Sequence, residues 1–441
     1  MDFESTGGNK RVFHRLGPSS GGGNRPHHQS NHQQQKVCYH WQAGRCNRHP
    51  CPFLHRELPP PPMASTSSNG GGGGGASKRP HSLGGAGSDE GFSMRKSPNF
   101  NNTWGRVGGG VPPKKMEKVC NYWAQGSCSF GEKCKFLHSW SIGDCFSLLT
   151  TLEGHQKVVT GIALPAGKDK LYTGSKDEHV RIWDCQSGQC VNAIHLGGEI
   201  GCLISEGPWV FIGLPNMVKA WNIETVTDMS LSGPVGQVYA LVVGNDMLFA
   251  GTQDGAILAW KFNPATNTFE PAASLAGHTR PVVTMVVGAN RLYSGSMDNS
   301  IRIWNLETLQ CMRTLSDHTS VVMSVLCWDQ FLLSSSLDKT LKVWAATQSG
   351  NLEVTYTHTE EHGLLTLSGM CDSEGKPILL CSSNDNTVRL FDLPSFMERG
   401  KIFSKQEIRA IQTGPGGLFF TGDGNGQVRV WQWSAESKPV V

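Results

Sequence analysis

The chain has 441 residues, 38% of them hydrophobic, with 53 Gly and 23 Pro, and so few apolar residues indicate that part of it is unfolded linker. Its net charge of +3 hides an asymmetry, because residues 1–140 carry 18 Lys and Arg against 7 Asp and Glu while the remainder carries 21 against 29. Such a basic end is typical of a protein that meets a polyanion, and a solubilising tail is the alternative. The sequence has neither an apolar run of about 18 residues nor the apolar core of a signal peptide, so we expect an intracellular protein that does not span a membrane.

Two segments of the N-terminal part have almost nothing to bury. Residues 1–35 are rich in Gly, Ser, Asn, Gln and His, and we predict that they are disordered. Residues 57–117 contain PPPP, a glycine run and scattered Lys and Arg, which predicts a flexible basic linker. The glycine run is not interpreted as a phosphate-binding loop, because no strand precedes it and no helix with Lys-Ser or Lys-Thr follows.

Two compact cysteine clusters flank the predicted linker. Disulfides are rare in a reducing compartment, so metal ligation or burial explains the 14 cysteines better. Residues 36–56 contain a C-x7-C-x4-C-x3-H arrangement, and residues 118–139 contain C-x7-C-x5-C-x3-H. The predicted metal ligands are Cys38, Cys46, Cys51 and His55 in the first cluster and Cys120, Cys128, Cys134 and His138 in the second.

Each cluster offers three thiolates and one imidazole, a closed tetrahedral set for structural zinc with no open position for catalysis. A module this small cannot bury enough apolar surface to fold alone. Zinc, which contributes about 10 to 16 kcal/mol in finger peptides, must therefore supply the folding energy. We predict two structural zinc ions and two zinc-nucleated fingers. His40 and His49 are alternative ligands in the first finger, but His55 keeps the spacing of His138.

Both segments resemble the CCCH zinc-finger family, many of whose members bind single-stranded RNA, and CSFGEKCKFLH in the second finger is very close to the family pattern. The resemblance implies base-stacking aromatics two residues after the second cysteine and two after the third. The second finger has Phe130 and Phe136 at these places, and the first has Arg48 and Phe53. A guanidinium plane can also stack on a base. The first finger departs from the family pattern at Arg48, and its loop of four residues between the second and third cysteines is shorter than usual.

The residue types of the fingers suit a single-stranded polyanion. Stacking on an aromatic face contributes about 1 to 3 kcal/mol per base whatever the sequence, and Arg48, Lys133 and Lys135 can neutralise phosphates. RNA is favoured over DNA by the resemblance alone. The structural alternative is that aromatic residues only pack the small core of each finger, and it applies to Phe53, Phe136, Tyr39, Trp41, Tyr122 and Trp123.

From about residue 145 the sequence consists of short β-branched runs separated by turn residues, which predicts an all-β fold. Strand-like segments end in an aromatic residue at intervals of 38 to 47 residues, near the period of about 40 to 45 residues of a WD40 blade. Residues 145–433 resemble the WD40 family, which implies a seven-bladed β-propeller with residues 434–441 as a tail. The seven terminal aromatics are Trp183, Trp221, Trp260, Trp304, Trp344, Phe391 and Trp431.

In that family a loop His, a strand Ser or Thr, a turn Asp and the terminal Trp form a buried hydrogen-bond network within a blade. Buried polar groups are costly unless they are paired, so we assign these residues to stability and predict no catalytic residue. No nucleophile elbow accompanies any of the histidines. The three full sets are His155 with Asp177 and Trp183, His278 with Asp298 and Trp304, and His318 with Asp338 and Trp344.

The remaining repeats deviate from this pattern. The second repeat has Pro215 in place of the turn Asp and no Gly-His before it, yet its period is right and it is counted as a blade. In the last repeat Asn425 takes the place of the turn Asp. The segment CFSLLTTL at 145–152 lacks a blade of its own, so we predict that it completes the last blade and removes the exposed sheet edges.

The whole arrangement resembles the plant family of CCCH-finger WD40 proteins over about residues 36–433. It predicts a non-enzymatic adaptor in post-transcriptional or nuclear regulation, with single-stranded RNA or DNA bound by the fingers and at least one protein by the propeller. No membrane and no small-molecule substrate are expected. The alternatives are a DNA-binding regulator, a protein-only scaffold and a ubiquitin-ligase substrate adaptor, and no repeat has the W-D-x-R of the last class. Short basic clusters such as Lys78-Arg79 favour the nucleus, and solvation of the linker is the alternative explanation for them.

Overall fold

The structure is a computed structural model that describes residues 116–143, 145–348 and 350–433. The predicted disordered segment at 1–35, the first finger at 36–56, the linker up to residue 115 and the tail at 434–441 lie outside the described residues. Within the described part, no helix is long and apolar enough to cross a membrane.

The second finger consists of a few short elements. Strand β1 (Met116–Val119) pairs in parallel with β2 (Phe136–Leu137), and between them lie helix α1 (Asn121–Ala124) and one 3-10 turn (Gly131–Lys133). Strand β3 (Ser141–Ile142) follows the finger. Of residues 118–139 only Cys120 and Cys134 are buried, so the finger has no apolar core that could stabilise it without a metal ion.

All further strands of the described part belong to a ring of antiparallel sheets. In chain order they are β4 (Phe146–Leu152), β5 (Val159–Ala163), β6 (Lys170–Ser175), β7 (His179–Asp184), β8 (Cys190–His195), β9 (Cys202–Glu206), β10 (Trp209–Asn222), β11 (Thr227–Gly244), β12 (Met247–Thr252), β13 (Ile257–Asn263), β14 (Thr268–Leu275), β15 (Val282–Gly288), β16 (Arg291–Ser296), β17 (Ile301–Asn305), β18 (Cys311–Leu315), β19 (Val322–Trp328), β20 (Phe331–Ser336), β21 (Thr340–Ala346), β22 (Leu352–Thr359), β23 (Leu364–Cys371), β24 (Pro377–Ser383), β25 (Thr387–Asp392), β26 (Met397–Phe403), β27 (Ile408–Thr413), β28 (Leu418–Asp423) and β29 (Val428–Trp433). A second 3-10 turn lies at Pro415–Gly417.

Hydrogen bonding groups the described strands of the ring into six sheets. They are β5 to β8, β9 to β14, β15 to β18, β19 to β22, β23 to β26 with β3 added at the edge, and β27 to β29 with β4. The innermost strands each pack against the next, and β27 packs against β5, which closes the ring. Strand β4 pairs with β29 from Leu152 opposite Val428 to Phe146 opposite Trp433, so residues 146–152 complete the last sheet as predicted.

The prediction of seven separate blades is wrong, because the second and third repeats share one six-stranded sheet. The first half of β10 pairs with β9, and its second half, from Pro215, pairs with β11. Pro215 has no N–H and no turn Asp follows it, so the tight turn of the other repeats is replaced by an irregular register and by Asn216 at φ 62°. This sheet supplies two innermost strands, β9 and β11, whereas each other sheet supplies one.

The terminal aromatics lie in the hydrophobic cores of the ring, Trp260 in the core of the six-stranded sheet and the others between neighbouring sheets. Six of them are at most 3% exposed, namely Trp183, Trp260, Trp304, Trp344, Phe391 and Trp431. Trp221 of the irregular second repeat is only partly buried. Burial of a large aromatic ring is among the strongest apolar contributions to stability, so the buried aromatics stabilise the packing of the repeats against one another.

Candidate metal centre and nucleic-acid surface

The second finger brings four metal-binding side chains together. The ligand atoms of Cys120, Cys128, Cys134 and His138 all lie within 4.8 Å of one another. The parallel pairing of β1 and β2 positions the first of them, since the Cys120 N–H donates to the carbonyl of Leu137 at 2.9 Å. The 3-10 turn positions Cys134, whose N–H donates to the carbonyl of Gly131 at 3.2 Å.

The donor set fits a zinc ion. Nε2 of His138 is buried without a hydrogen-bond partner, a costly state for a polar atom that a bound metal ion would relieve. A hydrogen bond from the Trp123 backbone N–H lowers the pKa of the Cys120 thiol, which favours the thiolate that a metal requires. The backbone at Phe130 lowers the pKa of Cys128, but desolvation and the neighbouring thiols raise it by more. These four residues would hold the ion, and the ion would supply the folding energy of the finger.

The predicted contact residues of the second finger lie on its surface. Phe130 is 67% exposed and Phe136 is 39% exposed, and the side chains of Lys133 and Lys135 are exposed beside them. Tyr122, at 66% exposed, offers a third open ring. Aromatic faces left open to solvent on a module of this size are available to stack on bases.

The other predicted site residues of the fingers lie outside the described residues. They are the ligands Cys38, Cys46, Cys51 and His55 and the contact residues Arg48 and Phe53.

The first full blade network joins β6 and β7 to the loop before β5 and to the turn between β6 and β7. Nδ1 of His155 lies 2.9 Å from Asp177 Oδ2, and its Nε2 lies 2.8 Å from the hydroxyl oxygen of Thr173, which also accepts from Trp183 Nε1 at 2.8 Å. When the imidazole is neutral with its proton on Nδ1, the hydroxyl donates to the histidine and accepts from the tryptophan. Burial lowers the pKa of His155 and holds it in that form.

Two further networks repeat this geometry. Nδ1 of His278 lies 2.8 Å from Asp298 Oδ2, and its Nε2 lies 2.8 Å from Ser294 Oγ. Trp304 Nε1 donates to the same serine oxygen at 2.9 Å. The third set comprises His318, Asp338, Ser334 and Trp344, joined at 2.8 to 2.9 Å. Burial raises the pKa of Asp298, but hydrogen bonds from Ser300 and His278 outweigh it and lower the pKa to about 2.

The last repeat differs from the sequence expectation at its turn. Asn425 was expected to replace the turn Asp, but Asp423 accepts the N–H groups of Asn425 and Gln427, both at 3.0 Å, and the hydroxyl of Ser404 at 2.8 Å. Asp423 was missed because it lies two residues before the position that the fixed spacing selects. Its position at the end of β28, where other repeats have Ser or Thr, is the signal that could have identified it.

The innermost strands surround a central cavity that the sequence did not reveal. Its volume is about 740 Å³, and its lining is mixed, with hydroxyls such as Thr160, Thr284 and Thr366 on the strands. Charged residues of both signs also line it, namely Lys176, Glu199, Glu407 and Arg409. A mixed polar lining of this kind suits peptide groups better than a phosphate backbone.

Comparison with known proteins places the two parts in known families. The family described as "CCCH-type zinc finger" matches residues 118–139, and the family "WD domain, G-beta repeat" matches residues 146–184, 269–305 and 309–345. The chain is 64% identical over 444 residues to zinc finger CCCH domain-containing protein 48 of Arabidopsis thaliana, with 100% of each chain covered. It is 63% identical over 452 residues to zinc finger CCCH domain-containing protein 17 of Oryza sativa, with 98% of each covered.

Proposed function

Because the chain belongs to the plant family of zinc finger CCCH domain-containing proteins with WD repeats, we propose that it is a non-enzymatic adaptor. In this proposal the fingers bind single-stranded RNA and the propeller binds a protein. The observation that carries it is the open aromatic surface of the second finger, where Phe130 is 67% exposed next to a Cys3His metal group.

The geometry of the finger supports a single-stranded ligand. A base paired within a duplex has its faces covered by its neighbours, whereas Phe130 and Phe136 offer ring faces that only an unstacked base can meet. Lys133 and Lys135 lie between these two phenylalanines in the chain and would neutralise phosphates. The first finger would provide a second contact of the same kind with its own zinc ion, which gives two ions per chain.

The propeller is proposed to bind the protein partner at its central cavity. The charged residues of the cavity are of both signs, which favours a peptide with mixed charges over a uniform polyanion. The basic N-terminal part of the chain further supports a division of labour in which nucleic acid is bound by the fingers alone. The short basic clusters of this N-terminal part also support a nuclear location.

The test uses the zinc-loaded full chain, selected against random pools of single-stranded RNA and single-stranded DNA at physiological ionic strength. Enrichment of a short RNA sequence is expected. Phe136→Ala is expected to weaken binding of that RNA about 5- to 150-fold, the equivalent of losing one stacked base, with zinc content unchanged.

The matched control is Tyr356→Ala, which removes another partly exposed aromatic ring, at 36% exposure, on the propeller. It should leave RNA binding unchanged. Enrichment of DNA rather than RNA would assign the chain to the DNA-binding regulators. Equal binding by the wild type and by Phe136→Ala would contradict the stacking role of that ring. Enrichment of neither pool would favour a scaffold that binds only proteins.

A further inference from the structure

The second finger is attached to the propeller by more than its peptide linkage. Residues 140–143, between the last metal ligand and the first strand of the ring, lie along the edge of the sheet that contains β26. Ser141 and Ile142 of β3 pair with Ile402 and Lys401 of β26. The N–H of Phe403 at the end of β26 donates to the carbonyl of Trp140 at 2.8 Å. The segment thus covers the outer edge of that sheet.

Two glycines allow this close approach. A Cβ at Gly400 of β26 would lie 2.6 Å from the ring of Phe146 and 2.7 Å from the carbonyl oxygen of Ile142. A Cβ at Gly143, at φ 125°, would lie 3.0 Å from the carbonyl oxygen of Arg399. The contact is therefore as close as packing inside the propeller, and it is not a loose surface contact.

A continuous series of contacts between planar groups leads from the metal centre into the propeller. The ring of the ligand His138 stacks on Trp123 at 5.8 Å with 11° between the planes, and Trp123 contacts Trp140 at 5.7 Å. The guanidinium of Arg429 lies 4.4 Å from the ring centroid of Trp140. This series of contacts therefore starts at a zinc ligand and ends on a side chain of β29.

Arg429 is an unusual end point for this series of contacts because it is only 2% exposed. Its guanidinium donates to the carbonyl of Phe403 at 3.4 Å, to Ser404 Oγ at 3.2 Å and to Gln427 Oε1 at 2.9 Å. Among the described residues no carboxylate lies within ion-pair distance of it. The carboxylates of Asp423 and Glu153 attract the guanidinium, and the face of Trp140 adds a direct contact that a buried cation needs in place of water.

An ion pair adds a second connection between finger and propeller. Lys401 Nζ of β26 lies 3.1 Å from Glu117 Oε2 of β1. β1 is the strand that leads into the first zinc ligand, Cys120, so both chain ends of the finger are held by the same sheet edge. A module anchored at both ends has a fixed orientation when it is folded.

We propose that zinc binding locks the second finger onto the propeller through Trp140, so that finger and propeller form one rigid unit when zinc is bound and separate when it is lost. Without the ion His138 and Trp123 lose their fixed positions, and Trp140 loses the surface that holds it over Arg429. The strand β3 then detaches from β26. The locked state presents Phe130 and Phe136 at a fixed place on the rim of the ring.

Hydrogen exchange at the Phe403 amide measures this docking directly in the full chain. Phe403 N–H exchanges slowly only while the carbonyl of Trp140 accepts it. We expect Cys128→Ser, which removes a ligand of the second finger only, to speed its exchange about tenfold or more. Cys46→Ser, the corresponding change in the first finger, should leave it unchanged. The amides of β16, in another sheet, serve as the internal reference.

A second variant separates docking from folding of the finger. Trp140→Ala keeps all four ligands, so zinc stoichiometry should equal that of the wild type while the Phe403 amide exchanges about tenfold faster or more. The matched control is Tyr122→Ala, which removes an exposed ring of the same finger and should change neither quantity.

Three results would overturn the proposal. They are an unchanged Phe403 rate in Cys128→Ser, an unchanged rate in zinc-loaded Trp140→Ala, and an equal acceleration at β16, which would mean global unfolding. No nucleic acid enters the measurement. A failure here therefore leaves the proposed RNA binding intact, and a failure to bind RNA leaves the docking intact.

Discussion

A single hydroxyl group joins the histidine and the tryptophan of each full blade network. In one of them, Ser294 lies 2.8 Å from His278 Nε2 and 2.9 Å from Trp304 Nε1, and all three side chains are buried. Such a serine is required because a hydroxyl can accept from one neighbour and donate to the other at the same time. The three networks are therefore stabilising parts of the fold with no free nucleophile or base.

We predict that Ser294→Ala lowers the free energy of unfolding by about 1 to 3 kcal/mol, because it leaves the Trp304 N–H and His278 Nε2 buried without partners. Urea denaturation followed by tryptophan fluorescence measures the change. Ser335→Ala is the matched control, since the Ser335 hydroxyl is equally buried but has no hydrogen-bond partner. It should be neutral or slightly stabilising, and equal losses in both variants would contradict the role of the network.

The networks also make stability depend on pH. Burial lowers the pKa of His155, His278 and His318 below the ordinary value of 6.5. The unfolded chain therefore binds more protons than the folded one below about pH 6.5, so stability falls as the pH falls through that range. We expect urea midpoints to drop between pH 7.5 and pH 5.5, and His278→Gln to have a smaller drop than the wild type. His362→Gln, which removes an exposed histidine, should show the same fall in urea midpoint as the wild type.

At the scale of strands, the sequence predicted the strands that recur in every repeat but missed two features that occur only once, the merged sheet at β10 and the short strand β3. The aromatic period identified the strands that carry the seven terminal aromatics, six of which are buried, because burial of the ring imposes the same spacing in successive repeats. The merging of two repeats in β10 depends on the local geometry of Pro215 and Asn216, which no period contains. Strand β3 was missed for the same reason, since two residues carry no alternation and its partner β26 lies some 260 residues away along the chain.

The irregular sheet makes a close contact between its two inner strands, which predicts a sensitive site. A Cβ at Gly201, just before β9, would lie 2.0 Å from the carbonyl oxygen of Val238 in β11. Backbone atoms cannot yield as side-chain ends can, so Gly201→Ala should lower the free energy of unfolding by about 1 to 3 kcal/mol. Gly414→Ala is the control, because its nearest atoms are side-chain ends at 3.3 Å. Thermal denaturation of both variants measures the difference. A Gly201→Ala protein as stable as the wild type would contradict the close contact with Val238.

At the scale of the whole molecule, the second finger and the ring are connected through the strand that closes the ring. Strand β4 follows β3 after residues 143–145 and supplies the outer strand of the last sheet. The metal centre could be identified from cysteine spacing because zinc ligation needs particular side chains at particular separations. The docking of the finger could not be identified, because it depends on two tryptophans and one buried arginine that come together only in the folded chain.

Closure by β4 predicts how the chain tolerates truncation. Deletion of residues 1–115 removes no described strand, so the ring should keep its stability. Deletion of residues 1–152 also removes β4, whose Phe146 and Leu152 are 5% and 4% exposed, and leaves β29 as an open edge. Loss of those two buried side chains alone should cost about 3 to 6 kcal/mol. We expect the shorter chain to unfold at lower urea or to aggregate, as measured by denaturation and light scattering. If both truncated chains unfold at the same urea concentration, then the ring does not depend on β4 for its closure.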